Sequence, residues 1–307
     1  MFEHPLEYFT VATGAAANAL ALAHLCPNFG QIICDQFSHI VVNEAAAPEF
    51  FCGGARLHGV RTAGKVTLQG LEEAIENAQA MGVHGTRPHV ISVTQPTERG
   101  LIYRAHELER ISAFAKENHL AVHMDGARFA NAVAALGVAP ADLTWRVGVD
   151  VLCLGGTKNG CLAAEMIIFF DKQKAEEFNS RRKQAGQLFS KSRFFAAQFL
   201  AYFKEGLWLQ NAAHANASAQ HFAQGVERLK AKDISVPYPV ETNQVFVTLP
   251  KDLVDTLHGE GYAFFPWAPY SDPPQDHLYR FIMSYNSREE DIAACLKTIS
   301  RYFEKRV

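Results

Sequence analysis

One lysine of the sequence lies where a reactive amine is expected. Lys158 belongs to LGGTKNG, residues 154–160, directly after an apolar run. Lysine is rarely buried without a partner, and parallel α/β sheets bind their ligands at the carboxyl ends of the strands. Desolvation lowers the pKa of an amine and makes it a better nucleophile for imine formation. The alternative is a surface lysine in a glycine-rich turn, and the segment lacks the GxxxxGK[ST] pattern of a Walker A loop.

An acidic residue ends a second apolar run. Asp125 stands in VHMDGAR, residues 122–128, one strand–helix–strand unit before Lys158. A carboxylate there can keep a pyridine nitrogen protonated and make the ring an electron sink. The alternative is a helix N-cap. The spacing of about one strand–helix–strand repeat makes the proximity of the two residues plausible. If their strand ends meet, an imine-forming lysine and a pyridine-binding aspartate indicate an enzyme that carries pyridoxal 5′-phosphate (PLP) and acts on a small amino acid.

Four further candidates lie near the chain's predicted turns. Thr13, Gly14 and Ala15 stand between a strand-like run and an Ala-rich helix, whose N-terminal N–H groups and dipole suit a phosphate. His39 follows a predicted strand and can stack on an aromatic ring or move a proton, since an imidazole titrates near neutral pH. A structural histidine is the alternative reading of His39.

Two arginines are candidates for binding a substrate carboxylate. A guanidinium pairs with a carboxylate in bidentate geometry, and Arg128 closes the VHMDGAR segment. Arg280 stands in YRFIM, residues 279–283, among neighbours that the pattern predicts to be buried. Surface arginines are the alternative for both.

The elements that position these residues alternate between strand and helix. This alternation, with near-continuous apolar strands, predicts an α/β fold with a mainly parallel central sheet and helices on both faces. Strands are predicted at residues 8–11, 31–34, 55–61, 89–93, 120–124, 149–154 and 166–170, and helices at 15–25, 71–81, 106–118 and from 128.

The pattern changes in the last third of the chain. Residues 194–230 predict one long Ala-rich helical stretch, followed by strands at 245–249 and 279–283. We therefore predict a large domain over residues 1–214 and a smaller C-terminal α+β domain over residues 215–307.

The bulk properties argue against several classes of protein. With 307 residues and a formal charge of −3, nothing indicates nucleic acid or an anionic membrane as a partner. No apolar run reaches the length of a spanning helix, and six cysteines without a CxxC pair suggest buried thiols of a cytoplasmic protein. The histidines form no metal-binding pattern, and no GxGxxG follows the first strand, which disfavours a nicotinamide enzyme.

Several segments together resemble the threonine aldolase family, in the β-eliminating-lyase branch of fold-type-I PLP enzymes. They occur in the family's order and span nearly the whole chain, and DGAR and GTKNG are the specific ones. The segments are FTVATGAAAN (9–18), SHI (38–40) followed by Glu44, HMDGAR (123–128), GGTKNG (155–160) and RF (280–281).

The resemblance implies how PLP is bound. Lys158 would be the Schiff-base lysine and Asp125 the partner of the pyridinium nitrogen, in a fold-type-I PLP-dependent transferase-like large domain. Gly14 and Ala15 would contact the phosphate through backbone N–H groups. Family members often carry a hydroxyl residue where Ala15 stands, so one phosphate hydrogen bond is missing or comes from Thr13.

The resemblance also implies a reaction. His39 would lie over the ring face and is the candidate base, while Arg128 and Arg280 would hold the substrate carboxylate. The implied reaction is retro-aldol Cα–Cβ cleavage of L-threonine, L-allo-threonine or a related 3-hydroxy amino acid to glycine and an aldehyde. Family members are homodimers or homotetramers with active sites at the dimer interface.

The sequence leaves other reactions and functions open. The same residues can serve β-elimination, racemisation or transamination of a small amino acid. Family members begin several dozen residues before the phosphate-binding turn, with a Ser-Asp element near the substrate, so a truncated PLP-fold scaffold without turnover is a further expectation. Phe264, Phe265 and Trp267 suit either a bulky 3-hydroxy substrate or core packing.

Overall fold

The computed structural model describes residues 1–267 and 275–304. Ten strands lie within these residues: β1 (Glu7–Val11), β2 (Gly30–Asp35), β3 (Arg56–Val60), β4 (Arg87–Thr94), β5 (Ala121–Gly126), β6 (Val151–Gly155), β7 (Glu165–Phe169), β8 (Gln244–Thr248), β9 (Phe265–Pro266) and β10 (Leu278–Ile282). The α-helices of the same ranges are α1 (Gly14–Leu25), α2 (His39–Val42), α3 (Ala47–Phe51), α4 (Leu68–Met81), α5 (Ala105–Glu117), α6 (Phe129–Leu136), α7 (Phe178–Gln184), α8 (Arg193–Phe203), α9 (Leu207–Arg228), α10 (Lys251–Gly259) and α11 (Glu289–Glu304).

A seven-stranded sheet in the order β1-β7-β6-β5-β4-β2-β3 forms the centre of the large domain. Strands β2 to β6 are parallel, as predicted, whereas β7 runs antiparallel to both β6 and β1. The connection from β6 to β7 spans only residues 156–164. A parallel return needs a crossover of a dozen or more residues, so this short connection reverses the strand.

Helices cover both faces of this sheet, because successive side chains of a buried strand point to opposite sides. On β6, Leu152 and Leu154 pack into a core with α4, α5, α6, α8 and α9. Val151 and Cys153, which alternate with these two leucines along β6, pack on the other face with α1 and α7. The predicted two-sided α/β arrangement is therefore confirmed.

A second sheet, in the antiparallel order β8-β10-β9, lies in the C-terminal part. Its apolar face packs against α10, α11 and the end of α9 in a separate core. Helix α9 contributes Ala212 to the large core and Ala219 to this smaller one. The division at residue 214 falls inside α9 and stays a prediction.

The prediction of one continuous helix over residues 194–230 is wrong in one respect, because the structure divides this stretch into two helices. Helix α8 ends at Phe203, and α9 begins at Leu207. Glu205 and Gly206 between them have φ values of 53° and 72°, in the left-handed region. This region ends a helix and favours glycine.

Residues 1–267 and 275–304 contain neither a membrane-spanning helix nor a metal-binding cluster. None of the helices there is long and apolar enough to cross a membrane. The same residues contain no group of three or more His, Cys, Asp or Glu side chains that could hold a metal ion.

Candidate active site

The lysine and the aspartate singled out in the sequence come together at one edge of the large sheet. Strands β5 and β6 are parallel neighbours, with Asp125 opposite Cys153. Asp125 lies at the carboxyl end of β5, and Lys158 follows the carboxyl end of β6 in a short 3₁₀ turn. The negative charge of Asp125 acts on the amine of Lys158 across the space between the two strand ends.

The amine of Lys158 is reachable from solvent, yet protein surrounds it on most sides. Burial lowers its pKa, and the positive charges of Arg128 and Arg280 lower it further. The negative charges of Asp125 and Glu165 oppose this shift. A lowered pKa increases the fraction of neutral amine at a given pH, and the neutral amine is the nucleophile.

The carboxylate of Asp125 is buried and held by two donors. Its Oδ1 accepts a hydrogen bond from the backbone N–H of Ala127 at 2.9 Å, and its Oδ2 accepts one from Asn18 Nδ2, also at 2.9 Å. The N-cap of α6 is Arg128, so the alternative reading of Asp125 as a helix cap does not hold.

A hydrogen-bonded chain leads from Asp125 to His39. Asn18 Nδ2 also donates to Glu44 Oε1 at 2.9 Å, and that oxygen lies 2.8 Å from His39 Nδ1. The Glu44 side chain is fully buried, whereas the His39 side chain is 40% exposed. His39 therefore presents its ring to open space while its Nδ1 edge is fixed.

The N-terminus of α1 forms a cradle on the same edge. Thr13 is the N-cap, and its Oγ1 accepts a hydrogen bond from the Ala16 N–H at 3.1 Å. The N–H groups of Gly14 and Ala15 lie in the first turn, where helical N–H groups have no intrahelical acceptor. Beyond Thr13, Ala15 and the backbone of α1 itself, no described atom lies within 4 Å of where a Gly14 Cβ would stand. Asn18, about one turn later, contacts Asp125.

Two arginines from different parts of the fold act on the charge of Lys158 at this edge. Arg128 precedes α6, and Arg280 lies on β10 with its guanidinium carbon 4.5 Å from the Trp267 ring centroid. Burial lowers the pKa of Arg128 to about 10, and the positive charge of Arg280 contributes to this. Two like charges that act on each other favour an anion bound near both.

The three aromatic residues considered for a bulky substrate lie in different environments. Phe264 is buried and stacks on Phe281 at 4.3 Å between ring centroids. Trp267 is also buried, against Phe246 and Arg280. Phe265 is 63% exposed. Phe264 and Trp267 thus follow the core-packing alternative.

Sequence reasoning missed four polar residues that line or support this site: Asn18, Glu44, Glu98 and Glu165. Asn18 had a usable signal, since it is the one polar residue among the seven buried residues of α1. A buried amide requires hydrogen-bond partners. Glu44 belongs to one of the segments that carry the family resemblance, but the sequence gives it no role. Glu165 lies near Lys158 only because β7 runs antiparallel to β6.

A model described as beta-eliminating lyase matches residues 1–252 of the chain. The chain belongs to the beta-eliminating lyase family. This is a family of PLP-dependent enzymes. The family predicted from the DGAR and GTKNG segments is thereby confirmed.

Two bacterial relatives in the family are similar over most of this beta-eliminating lyase. A low specificity L-threonine aldolase of Pseudomonas sp. is 40% identical over 97% of this chain and 85% of its own length. The protein of the same description from Pseudomonas aeruginosa is 44% identical over 86% of this chain and 76% of its own length.

The fold is also that of a solved structure. A threonine aldolase of Leishmania major superposes with a TM-score of 0.88 at 24% identity. The match covers 97% of this chain and 84% of the other. The predicted fold-type-I α/β architecture is confirmed.

Proposed function

We propose that this beta-eliminating lyase binds PLP on Lys158 and cleaves L-threonine, L-allo-threonine or a related 3-hydroxy amino acid to glycine and an aldehyde. The observation that carries the proposal is the meeting of Lys158 and Asp125 at neighbouring strand ends. The two Pseudomonas relatives, which are low specificity L-threonine aldolases, support the choice of substrate.

The residues present fit PLP in three respects. The neutralisable amine of Lys158 suits imine formation with an aldehyde. The buried carboxylate of Asp125 has both oxygens oriented by donors and suits a protonated pyridine nitrogen. The open space at Gly14 and the first-turn N–H groups of α1 suit a phosphate.

When bound, PLP supplies an electron sink for the pair released from a bond at the substrate Cα. Lys158 would hold the cofactor through its amine, and the Asp125 carboxylate would favour a protonated ring nitrogen. His39, whose Nδ1 is fixed by Glu44 and through it by Asn18, would pack against the ring. Arg128 and Arg280 orient the substrate through its carboxylate.

We further propose that the chain functions as a homodimer or homotetramer with the site near the interface. Leu162, four residues after Lys158, is 90% exposed. Phe194 and Leu200 on α8, the helix whose Gln198 binds the Leu162 backbone, are 57% and 75% exposed. Several exposed apolar side chains in this part of the fold support self-association there.

The test of the proposed function is a substrate assay. The purified protein is incubated with L-threonine, L-allo-threonine or phenylserine, with and without added PLP, and glycine and aldehyde are measured. Borohydride reduction followed by peptide mass spectrometry is expected to find PLP on Lys158. If a protein that has incorporated PLP releases glycine from none of the three substrates, the proposed function is wrong.

Replacing Arg280 with leucine is expected to raise the KM for threonine about 10- to 100-fold with a smaller change in kcat. A charge-assisted hydrogen bond contributes about 1.5–3 kcal/mol, and its loss from substrate and transition state alike raises KM. Arg228→Leu, at the last turn of α9, serves as the control. If the KM of Arg280→Leu for threonine were unchanged, Arg280 would not bind the substrate carboxylate.

A further inference from the structure

Glu98 is a carboxyl group at this site that none of the roles above uses. It lies in the loop between β4 and α5. Its Oε1 accepts hydrogen bonds from the backbone N–H of His39 and the hydroxyl of Thr94, both at 2.8 Å. Its Oε2 accepts no hydrogen bond from any other residue in the described part of the chain. The group is thus held in one orientation with one oxygen open.

Charged and titratable groups from several elements face Glu98. Asp125 at the end of β5 acts on it, and it acts in turn on Arg128 before α6. The thiol of Cys34 on β2 and the phenol of Tyr103 also respond to its charge. Glu98 therefore interacts electrostatically with both the proposed ring-nitrogen partner and the proposed substrate-carboxylate arginine.

These surroundings change the acidity of Glu98. Burial raises its pKa to about 7, the two hydrogen bonds to Oε1 oppose this rise, and the negative charge of Asp125 adds to it. A carboxylate with such a pKa is a stronger base than an exposed one and is still largely ionised just above neutral pH.

We infer that Glu98 accepts the proton of the substrate β-hydroxyl, an assignment that rests on the proposed function. The O–H bond breaks, and the proton moves to Oε2. The O–H electron pair forms the second bond of the aldehyde C=O as the Cα–Cβ bond breaks. The pair from that bond remains at Cα, where uptake of one proton gives glycine. Threonine thus becomes glycine and acetaldehyde without any other reactant.

The geometry gives His39 a second task. The sequence predicts His39 as the base, and its Nδ1 is engaged by Glu44 at 2.8 Å, which leaves Nε2 as its one nitrogen for proton transfer. Its backbone N–H also donates to the Glu98 carboxyl and orients it. His39 therefore serves as a positioning residue for Glu98, and its role as base stays a prediction.

The test compares two reactions of the PLP-loaded Glu98→Gln variant. Glutamine keeps the size and the Oε1 acceptor of Glu98 but cannot take up a proton at neutral pH. We expect kcat for threonine cleavage to fall at least about 100-fold. Exchange of the α-hydrogen of glycine in D₂O involves no hydroxyl group and is expected to stay within about threefold. Glu241→Gln, which alters a carboxylate bonded to the backbone of Ile102, should leave both reactions within about threefold.

The pH profile provides a second readout. In the wild type, kcat for threonine should rise with pH through about 7 as Glu98 loses its proton. This limb should be absent from glycine exchange. Threonine cleavage by Glu98→Gln within threefold of wild type overturns the assignment, and so does equal loss of both reactions. A wild type that performs neither reaction contradicts the proposed function instead.

Discussion

Lys158→Ala is expected to lower kcat for threonine cleavage by at least about 10³-fold, since we propose that this residue is the nucleophile that holds PLP. Borohydride reduction should then leave no PLP on the peptide that contains position 158. Glycine release and peptide mass spectrometry measure the two effects. A variant that still carries reducible PLP at the wild-type level would contradict the assignment.

Lys158→Arg separates nucleophilicity from charge. Arginine keeps a positive group beside Asp125 and Glu165, which both act on Lys158, but it stays protonated and does not form the imine. We expect it to be as inactive as the alanine variant. Lys172→Ala, which removes a surface lysine paired with Glu7 at 3.4 Å, should retain full activity. Activity in Lys158→Arg would mean that the site needs only the charge.

The sequence made the meeting of Asp125 and Lys158 plausible, and the structure shows that their strands are neighbours. Each follows an apolar run that is buried as a strand. Alternation with helices makes such strands parallel, and the carboxyl ends of parallel strands share one edge of the sheet. The direction of the two strands therefore places Asp125 and Lys158 at the same edge of the sheet.

The support around Asp125 could not be predicted in the same way. Asn18 reaches Asp125 only because α1 crosses the sheet over β5 and β6. Residue spacing does not specify that path, since the two residues are 107 positions apart. Glu44 and Glu98 similarly depend on how α2 and the loop after β4 approach each other.

The direction of strand β7 and the break before α9 are two features of the fold that the residue pattern could not predict. The apolar pattern of β7 is that of any buried strand, and its direction is set by the length of the preceding connection. The break before α9 depends on the left-handed backbone of Glu205 and Gly206. A single glycine inside an Ala-rich helical pattern is tolerated in many helices, so the pattern alone did not predict the break.

The electrostatics of the site follow from placing acids and bases side by side where protein surrounds them on most sides. This burial raises the pKa of Glu98 and Glu165, and it lowers the pKa of Lys158 and Arg128. The acids and bases are therefore shifted toward each other, which eases proton transfer near neutral pH. This arrangement suits the proposed binding of a cofactor and an amino acid that carry several charges.

Asp125→Asn is expected to lower kcat for threonine cleavage at least about 100-fold, because the neutral amide no longer holds a pyridine nitrogen protonated. Stability should fall as well. The carboxylate accepts from Ala127 N–H and Asn18 Nδ2 on its two oxygens, whereas an amide offers one acceptor. One buried donor then loses its partner, at a cost of about 1–3 kcal/mol.

Asp150→Asn tests whether the loss of activity comes from chemistry or from instability. Asp150 precedes β6 at the opposite edge of the sheet, where it accepts a hydrogen bond from Val122 N–H at 2.7 Å and pairs with Lys174 at 2.5 Å. Urea denaturation should show a loss of stability in both variants, while only Asp125→Asn should lose activity. If Asp125→Asn cleaves threonine within threefold of wild type, the carboxylate does not act on the ring, because its position alone would then be sufficient.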